Sequence, residues 1–127
     1  MHLSEQDQAL VQEARRIIRE RQKEKWHQIG SALRTRSGRV FSAVNVGANV
    51  GRVAVCAEAI ALGMACAAGD SDIDTVVAVN RNGEIVSPCG MCRELISDYA
   101  PQARVIIAED PASRIVPVGD LLPDKYR

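Results

Sequence analysis

The sequence has few aromatic residues and no surplus of either charge. Among its 127 residues are one Trp, two Tyr and one Phe, and 16 basic residues balance 16 acidic ones. A chain without net charge exerts no long-range attraction on a polyanion. Four aromatic side chains are also too few for a platform on which successive bases stack. We therefore expect no nucleic acid polymer among the partners of this protein.

Long apolar runs are absent as well. No stretch approaches the ~20 apolar residues that a membrane-spanning helix needs, and the opening MHLSEQDQAL lacks the basic and then apolar segments of a signal peptide. We therefore expect a cytoplasmic protein that does not enter a membrane. In that reducing compartment, metal binding or catalysis explains clustered cysteines better than disulfide bonds do.

The first half of the sequence predicts a helix, a hairpin and a second helix within one domain over residues 1–127. Ser4 is the predicted N-cap of an amphipathic helix over about residues 4–23. Two β-prone runs around a compact turn at Gly38 predict a hairpin. A nearly apolar helix, predicted to be buried on most sides, then ends at Gly69.

The second half alternates strand and helix patterns. The runs DTVVAVN and ARVIIAE are typical of buried strands, and CGMCRELISDYA between them is typical of a helix that ends at Pro101. A hairpin followed by this alternation predicts a three-layer α/β/α domain with a mixed central sheet. Its core should extend over about residues 27–110, and the short C-terminal tail should form a helical turn around residues 120–122.

Three of the four cysteines fall where predicted helices begin: Cys56 opens the apolar helix, and Cys89 and Cys92 open the next one. Clefts form at such strand-to-helix junctions, so the three thiols should converge, and the helix N-termini should favour their thiolate forms. Three thiolates leave one position of a tetrahedral zinc open, which is typical of catalytic sites because water bound there loses much of its proton affinity. Cys66, mid-helix among alanines, is expected to be a small buried apolar residue.

Glu58 is the candidate catalytic residue. It lies two residues after Cys56, where a carboxylate in the first helical turn can reach the water on the metal as general base and then acid. By itself, such a carboxylate is usually only a partner for the helix dipole. A lone C-x-x-C is also more often a structural metal half-site, a redox pair or chance. A non-catalytic protein with structural zinc remains the alternative interpretation.

The combination of CAE at residues 56–58 with SPCGMCR at residues 87–93 resembles the signature of the cytidine deaminase superfamily. The likeness extends to the hairpin, to Asn45 eleven positions before Cys56, and to LLPDKY in the tail, which resembles the end of blasticidin-S deaminases, a branch of that family. The resemblance implies a zinc-dependent hydrolase that removes the C4 amino group of a free cytidine-like nucleoside or nucleoside analogue as ammonia. Cytidine, deoxycytidine and blasticidin S are the substrate types. It also implies a homotetramer with active sites completed across subunit boundaries.

The resemblance assigns roles residue by residue. It implies zinc on Cys56, Cys89 and Cys92 and proton transfer by Glu58. The implied substrate contacts are Asn45 to the ribose and the backbone near Ala57 and Ser87 to the oxygen and amine. Two further contacts are expected from His27 beside the base, unless it is only a half-exposed residue at a strand edge, and from Tyr126 reaching a neighbouring subunit's cleft.

The chain departs from the family pattern after Asn45. Nucleoside deaminases of the family typically carry a glutamate two residues later that grips the sugar, whereas this chain has Gly47. Blasticidin-S deaminases also lack that glutamate, which favours their branch. We therefore expect Gly47→Glu to shift preference toward the plain ribonucleoside. Arg52 and Arg93 are the candidates to balance the negative charge of three thiolates on zinc.

Overall fold

The computed structural model describes residues 3–109 and 112–127, so the predicted core boundary at residue 110 lies outside the described residues. None of the described helices combines the length and the apolar character needed to cross a membrane. The elements along the described chain are α1 (Glu5–Arg21), β1 (Ile29–Thr35), β2 (Val40–Val44), a 3₁₀ turn (Gly51–Val53), α2 (Ala57–Ala67), β3 (Ile73–Asn80), β4 (Ile85–Val86), α3 (Gly90–Tyr99), β5 (Arg104–Glu109), β6 (Ala112–Pro117) and a second 3₁₀ turn (Val118–Leu121).

The strands form one mixed sheet in the order β2, β1, β3, β5, β6, with β4 paired to β3. β3 and β5 run parallel, and the other neighbours run antiparallel. This arrangement confirms the predicted hairpin and the predicted mixed sheet. Sequence patterns did not predict β4, which has only two residues, or β6, a strand with a single fully buried residue at the end of the sheet.

Helices cover both faces of the sheet, which confirms the three-layer α/β/α architecture. α1 packs on one face, and α2 and α3 pack on the other. Successive side chains of a strand point to opposite faces, and the central strands follow this rule with apolar residues on both sides. The core under α1 contains Ala32, Val77 and Ile106, and the core under α2 and α3 contains Leu33, Val76 and Val105.

The start of α1 has the predicted cap and an unpredicted ion pair. The Ser4 hydroxyl accepts a hydrogen bond from the backbone N–H of Asp7 at 3.1 Å. The carboxylate of Asp7 is buried and accepts a hydrogen bond from Arg34 at 2.9 Å. Arg34 also donates to Asp74, again at 2.9 Å. A buried carboxylate is stable when it is paired and hydrogen-bonded in this way.

α2 is buried along one side only, so the prediction of burial on most sides is wrong. The buried residues of α2 are Ala57, Glu58, Ala61, Leu62 and Ala65. Met64 is 42% exposed, and Cys66 is exposed rather than buried as predicted. The reason is geometric, because a sheet face covers only the stripe of a helix that contacts it. An apolar composition alone does not reveal where that stripe ends.

Candidate metal centre and active site

The topology brings the starts of α2 and α3 to one end of the sheet. β2 and β3 both run antiparallel to β1, so they point the same way, and each is followed by one of these helices. Cys56 is the N-cap residue of α2 and Cys89 is the N-cap residue of α3. Neither thiol caps its own helix, which leaves both sulfurs free for another partner.

The three predicted thiols form one cluster. The Sγ atoms of Cys56 and Cys89 lie 3.5 Å apart, and all three Sγ atoms, including that of Cys92, lie within 4.8 Å of one another. Tetrahedral zinc with Zn–S bonds of ~2.3 Å separates its sulfurs by about 3.8 Å. The donor set therefore fits zinc. In the described part of the chain, no fourth His, Cys, Asp or Glu joins the cluster, so one coordination position is left for another ligand.

The thiols differ in their surroundings. Burial raises the pKa of the Cys56 thiol, and the neighbouring Cys89 adds to that increase. Burial also acts to raise the pKa of Cys89, but the backbone N–H of Cys92 and the neighbouring thiols outweigh it and lower the value. Cys92 is 2% exposed, and its pKa is raised by burial and then by the charge of Glu58. A divalent cation at their centre would favour the thiolate form of all three.

Glu58 lies in the first turn of α2, and its side chain lines the same cavity as Cys56 and Cys89. It is 6% exposed, and burial raises the pKa of its carboxyl group. Among the described residues, no Lys or Arg forms an ion pair with it. A buried carboxyl beside an open metal position can act first as general base and then as general acid, and a raised pKa favours the protonated form that donates.

A cavity of about 670 Å³ opens above the thiol cluster, within the roughly 300–1,000 Å³ of small-molecule sites. Three of the predicted substrate-contact residues line it: Asn45, Ala57 and Ser87. Ala57 is fully buried at the start of α2, and Ser87 lies in the segment between β4 and α3. The structure therefore brings these residues together with Glu58, and their contacts with a substrate remain predictions.

The carboxamide of Asn45 is fully hydrogen-bonded by the chain itself. Its Oδ1 accepts from the backbone N–H groups of Gln28 and Ile29 at 2.8 and 3.0 Å. Its Nδ2 donates to the carbonyl of Trp26 at 3.1 Å and to Oε1 of Gln28 at 3.2 Å. These four bonds use the whole capacity of the amide. Asn45 thus fixes the segment of residues 26–29, of which Ile29 lines the cavity, and a direct ribose contact would require exchanging one of these bonds.

Gly47 is held against the same segment, at Trp26. Its N–H donates to the carbonyl oxygen of Trp26 at 3.2 Å, and a Cβ on Gly47 would lie 2.7 Å from that oxygen. Real Cβ atoms essentially never come so close to a backbone oxygen. The structure therefore argues against the expected effect of Gly47→Glu, because a side chain here would first displace the Trp26 backbone. Glycine at this position reflects close packing of two backbone segments.

Two predicted contact residues lie outside the lining of this cavity. His27 is half-buried, and its Nδ1 accepts a hydrogen bond from the backbone N–H of Lys23 at 2.9 Å. Tyr126 is 89% exposed near the end of the chain. Within one chain, neither is brought to the thiol cluster, so any role of Tyr126 requires a neighbouring chain.

Sequence reasoning missed Arg81, which supports the wall of the cavity. From the turn after β3, its Nε donates to the carbonyl of His27 at 2.6 Å, and its Nη2 donates to the carbonyls of Lys23 and Glu24. These partners are more than 50 residues away in sequence, so no local pattern identifies the contact. Arg81 fastens the segment that carries Trp26, which in turn contacts Asn45.

The two candidate arginines for charge balance are placed differently. Arg93 donates from Nε to the carbonyl of Pro88 at 2.9 Å and from Nη1 to the carbonyl of Leu121 at 3.2 Å. It thereby ties the segment before Cys89 to the C-terminal region. Arg52 is exposed on the 3₁₀ turn and lines the cavity. Neither side chain forms an ion pair within the described residues.

Comparison with known proteins agrees with this geometry. Residues 4–109 match the family model described as the cytidine and deoxycytidylate deaminase zinc-binding region. The chain is 44% identical to blasticidin-S deaminase from Bacillus cereus over 98% of its own length and 95% of that protein. It is 28% identical to cytidine deaminase from Mycobacterium tuberculosis over 77% of this chain and 71% of that protein.

Solved structures share the fold. Cytidine deaminase from Burkholderia pseudomallei superimposes with a TM-score of 0.79 at 30% identity, covering 98% of this chain and all of that one. The Mycobacterium tuberculosis enzyme gives a TM-score of 0.80 at 23% identity, covering 94% and 96% of the two chains. From the family match and the near full-length similarity to a deaminase, the chain belongs to the zinc-binding cytidine and deoxycytidylate deaminase family.

Proposed function

We propose that this chain hydrolyses the C4 amino group of a free cytosine nucleoside or nucleoside analogue, of the cytidine, deoxycytidine or blasticidin S type. One observation carries the proposal: a buried carboxyl without a cationic partner, Glu58, lines the same cavity as a three-thiol cluster that fits zinc. A structural zinc site has no use for such a carboxyl beside an open coordination position.

In the proposed reaction, water adds to C4 of the pyrimidine, ammonia leaves, and a uracil-type product remains. Cys56, Cys89 and Cys92 would hold zinc, which would lower the pKa of the attacking water. Glu58 would accept a proton from that water and pass protons to the ring and to the leaving amine, as its raised pKa permits. The buried start of α2 around Ala57 would keep bulk water away from this carboxyl.

The similarity to a blasticidin-S deaminase extends over nearly the whole chain and is greater than that to the Mycobacterium tuberculosis cytidine deaminase. We therefore place blasticidin S ahead of cytidine among the proposed substrates. The test is an assay of purified, zinc-loaded protein on cytidine, deoxycytidine and blasticidin S, following ammonia release and the loss of cytosine absorbance. Turnover of at least one compound is expected. No turnover of any of them would overturn the proposed function and favour the structural-zinc alternative.

We also propose that the protein assembles as a homotetramer. Support comes from apolar side chains exposed on the single chain, among them Met64 on α2 and Val50 and Val53 beside the cavity. Sedimentation velocity should give a tetramer, and a stable, active monomer would contradict this proposal.

The C-terminal tail is proposed to complete a neighbouring active site in that tetramer. Lys125 forms ion pairs with Glu94 at 3.0 Å and Asp98 at 2.9 Å, which hold the tail on α3. Tyr126 follows this anchor and projects into solvent. Removing residues after Leu122 should impair substrate binding more than zinc content, and unchanged kinetics would argue against the role.

A cytoplasmic location is proposed on the chemistry of the thiols. Cys56, Cys89 and Cys92 can serve as zinc ligands only while their thiols are reduced, and a reducing compartment keeps them so. We further propose that residues 1–127 act as one domain, because α1 contributes one of the two hydrophobic cores of the sheet.

A further inference from the structure

We propose that Arg52 selects substrates that carry a negative charge on the sugar, either a carboxylate or a phosphate. The inference rests on the proposed function, because it concerns the outer part of the same cavity. It assigns to this deaminase a preference for anionic cytosine nucleosides over neutral ones.

The charges that line the cavity are few. Within the described part of the chain, only Glu58 and Arg52 are charged lining residues. Glu58 is 6% exposed at the thiol cluster, whereas Arg52 is exposed. Arg52 forms no hydrogen bond or ion pair within the described residues, in contrast to Arg34, Arg81 and Arg93, which are held by acceptors of the chain. Within the single chain, its guanidinium is therefore available to a ligand.

The orientation of the substrate follows from the chemistry. The amine-bearing carbon of the base must lie at the thiol cluster beside Glu58, so the sugar points away from this buried end toward the open part of the cavity. Arg52 is part of that open end, on the 3₁₀ turn three residues before the lining residue Val55. A negatively charged group on the bound sugar would thus lie near the guanidinium of Arg52.

The rest of the described lining carries no charge that opposes Arg52. The lining residue Asn45 is neutral, and its amide is already hydrogen-bonded within the chain. Two residues later, Gly47 has no side chain, and a longer residue there would first have to displace the Trp26 carbonyl oxygen, 2.7 Å from its Cβ. Apart from Glu58 at the buried end, the described lining therefore carries one charge, the guanidinium of Arg52, which attracts an anion.

A guanidinium suits both forms of the proposed anion. Its N–H groups can form two parallel hydrogen bonds with either a carboxylate or a phosphate. The two sources correspond to a sugar acid, in which the sugar carries a carboxylate, and a nucleotide. Because Arg52 is exposed, salt will screen the attraction, and we expect an effect on affinity of about three- to tenfold.

Binding of uracil-type products tests the inference without any chemical step. Zinc-loaded protein would be titrated calorimetrically with uridine, uridine 5′-carboxylate and uridine 5′-monophosphate at low and high salt. The variants are Arg52→Gln, which removes the charge, Arg52→Lys, which keeps it, and Arg19→Gln, a matched control on an exposed arginine of α1. Zinc content is measured for each protein.

The expected result is tighter binding of at least one anionic product than of uridine by the original chain. Arg52→Gln should lose this preference with zinc retained, Arg52→Lys should keep part of it, and Arg19→Gln should match the original. A preference for the carboxylate alone would assign a sugar acid, and a preference for the phosphate alone a nucleotide.

Three results would overturn the inference: equal binding of all three products, no binding of any, or a preference that survives Arg52→Gln. Loss of zinc in Arg52→Gln would also overturn it, because Arg52 would then serve the thiolates. Deamination of cytidine or blasticidin S by the original chain reports on the proposed function separately, so the two can fail independently.

Discussion

At the end of the sheet where β3 begins, Arg34 donates hydrogen bonds to the carboxylates of Asp7 and Asp74. At the opposite end, Glu58 is buried beside three thiols without a cation in contact among the described residues. The pKa values of the carboxyl groups differ accordingly. Burial acts to raise the pKa of Asp74, but hydrogen bonds from Thr75 and Arg34 lower it on balance, whereas burial raises that of Glu58.

This difference indicates that buried charges have two roles in the protein, one in stability and one in chemistry. Charges that serve the fold are paired and hydrogen-bonded, so their ionised forms are stable. Charges that serve chemistry are left without a partner, which raises the pKa of a buried carboxyl such as Glu58 and costs stability. The end with Arg34 should therefore respond to mutation mainly in stability, and the end with Glu58 mainly in metal content and activity.

The largest effect is expected from removing a thiol. We expect the original chain to bind one zinc, and Cys89→Ala should lose that zinc together with much of the stability, because metal-binding free energy contributes to folding. Elemental analysis and thermal unfolding measure both. Cys66→Ala is the control, since that thiol is exposed on α2 and outside the cluster. Zinc retained in Cys89→Ala would show that the cluster is not the metal site.

Glu58→Gln should lower kcat by about 10²–10⁴-fold while zinc content and fold are retained, because general acid–base catalysis typically contributes that much. Steady-state kinetics on the best substrate of the panel and elemental analysis check the two parts. If activity survives in Glu58→Gln, Glu58 is not the catalytic residue, and the unpaired carboxyl at this end of the sheet has no catalytic role.

Arg34→Leu should reduce the free energy of unfolding by about 2–4 kcal/mol, because the buried Asp7 carboxylate loses its closest cation and keeps only Arg104 at 3.7 Å. Zinc content per folded chain should not change. Arg36→Leu is the matched control, since Arg36 is more exposed and pairs with Asp72 and Asp74 at the surface, where such pairs contribute at most about 1 kcal/mol. Equal losses in the two variants would contradict the assignment of Arg34 to the fold.

Gly47→Ala should reduce the free energy of unfolding by about 1–3 kcal/mol, the usual range for overpacking, because the new Cβ would lie 2.7 Å from the Trp26 carbonyl oxygen. The Michaelis constant should rise, since the displaced backbone supports the cavity wall. Gly63→Ala offers the opposite case: no atom lies near a Cβ on this exposed helical residue, so we expect stabilisation by about 0.5–1 kcal/mol. Denaturant titration of both variants would show whether the signs differ.

The smallest effect concerns pH. Asp74 has a lowered pKa in the folded chain, so its ionised form stabilises the fold above the ordinary aspartate pKa of about 3.9. This contribution is lost as the pH falls through the folded-state value. Asp74→Asn should therefore be slightly less stable than the original chain at pH 6, by under about 1 kcal/mol for a partly exposed pair, and this difference should shrink as the pH falls below the ordinary aspartate pKa. Asp120→Asn, a control on an exposed residue, should match the stability of the original chain at pH 6 and at the lower pH.

The sequence predicted those parts of the fold that depend on local patterns. The Ser4 cap, the hairpin turn at Gly38 and the thiols at two helix starts each depend on residues close together in the chain. The parallel arrangement of β3 and β5 followed from their order with α3 between them. The cluster of three thiols was predictable because two successive strand-to-helix junctions had to share one end of the sheet.

Features that depend on distant segments were not predictable in this way. Burial of one α2 face and exposure of Cys66 are decided by how much of the helix the sheet covers. The contacts of Arg81 with residues 23–27 and of Asp7 with Arg34 join parts of the chain with no common motif. From the sequence, Gly47 was interpreted as the loss of a sugar-binding side chain, whereas the structure explains the glycine by its close contact with the Trp26 backbone.

That contact between Gly47 and Trp26 constrains how this cavity can change during evolution. The atom in the way is a backbone oxygen, so no replacement of the Trp26 side chain would make room for a longer residue at position 47. A new side chain there would need an insertion or deletion in the segment between α1 and β1, which would move the backbone itself. Single-base changes in the gene can therefore adjust exposed lining residues such as Arg52 far more easily than position 47.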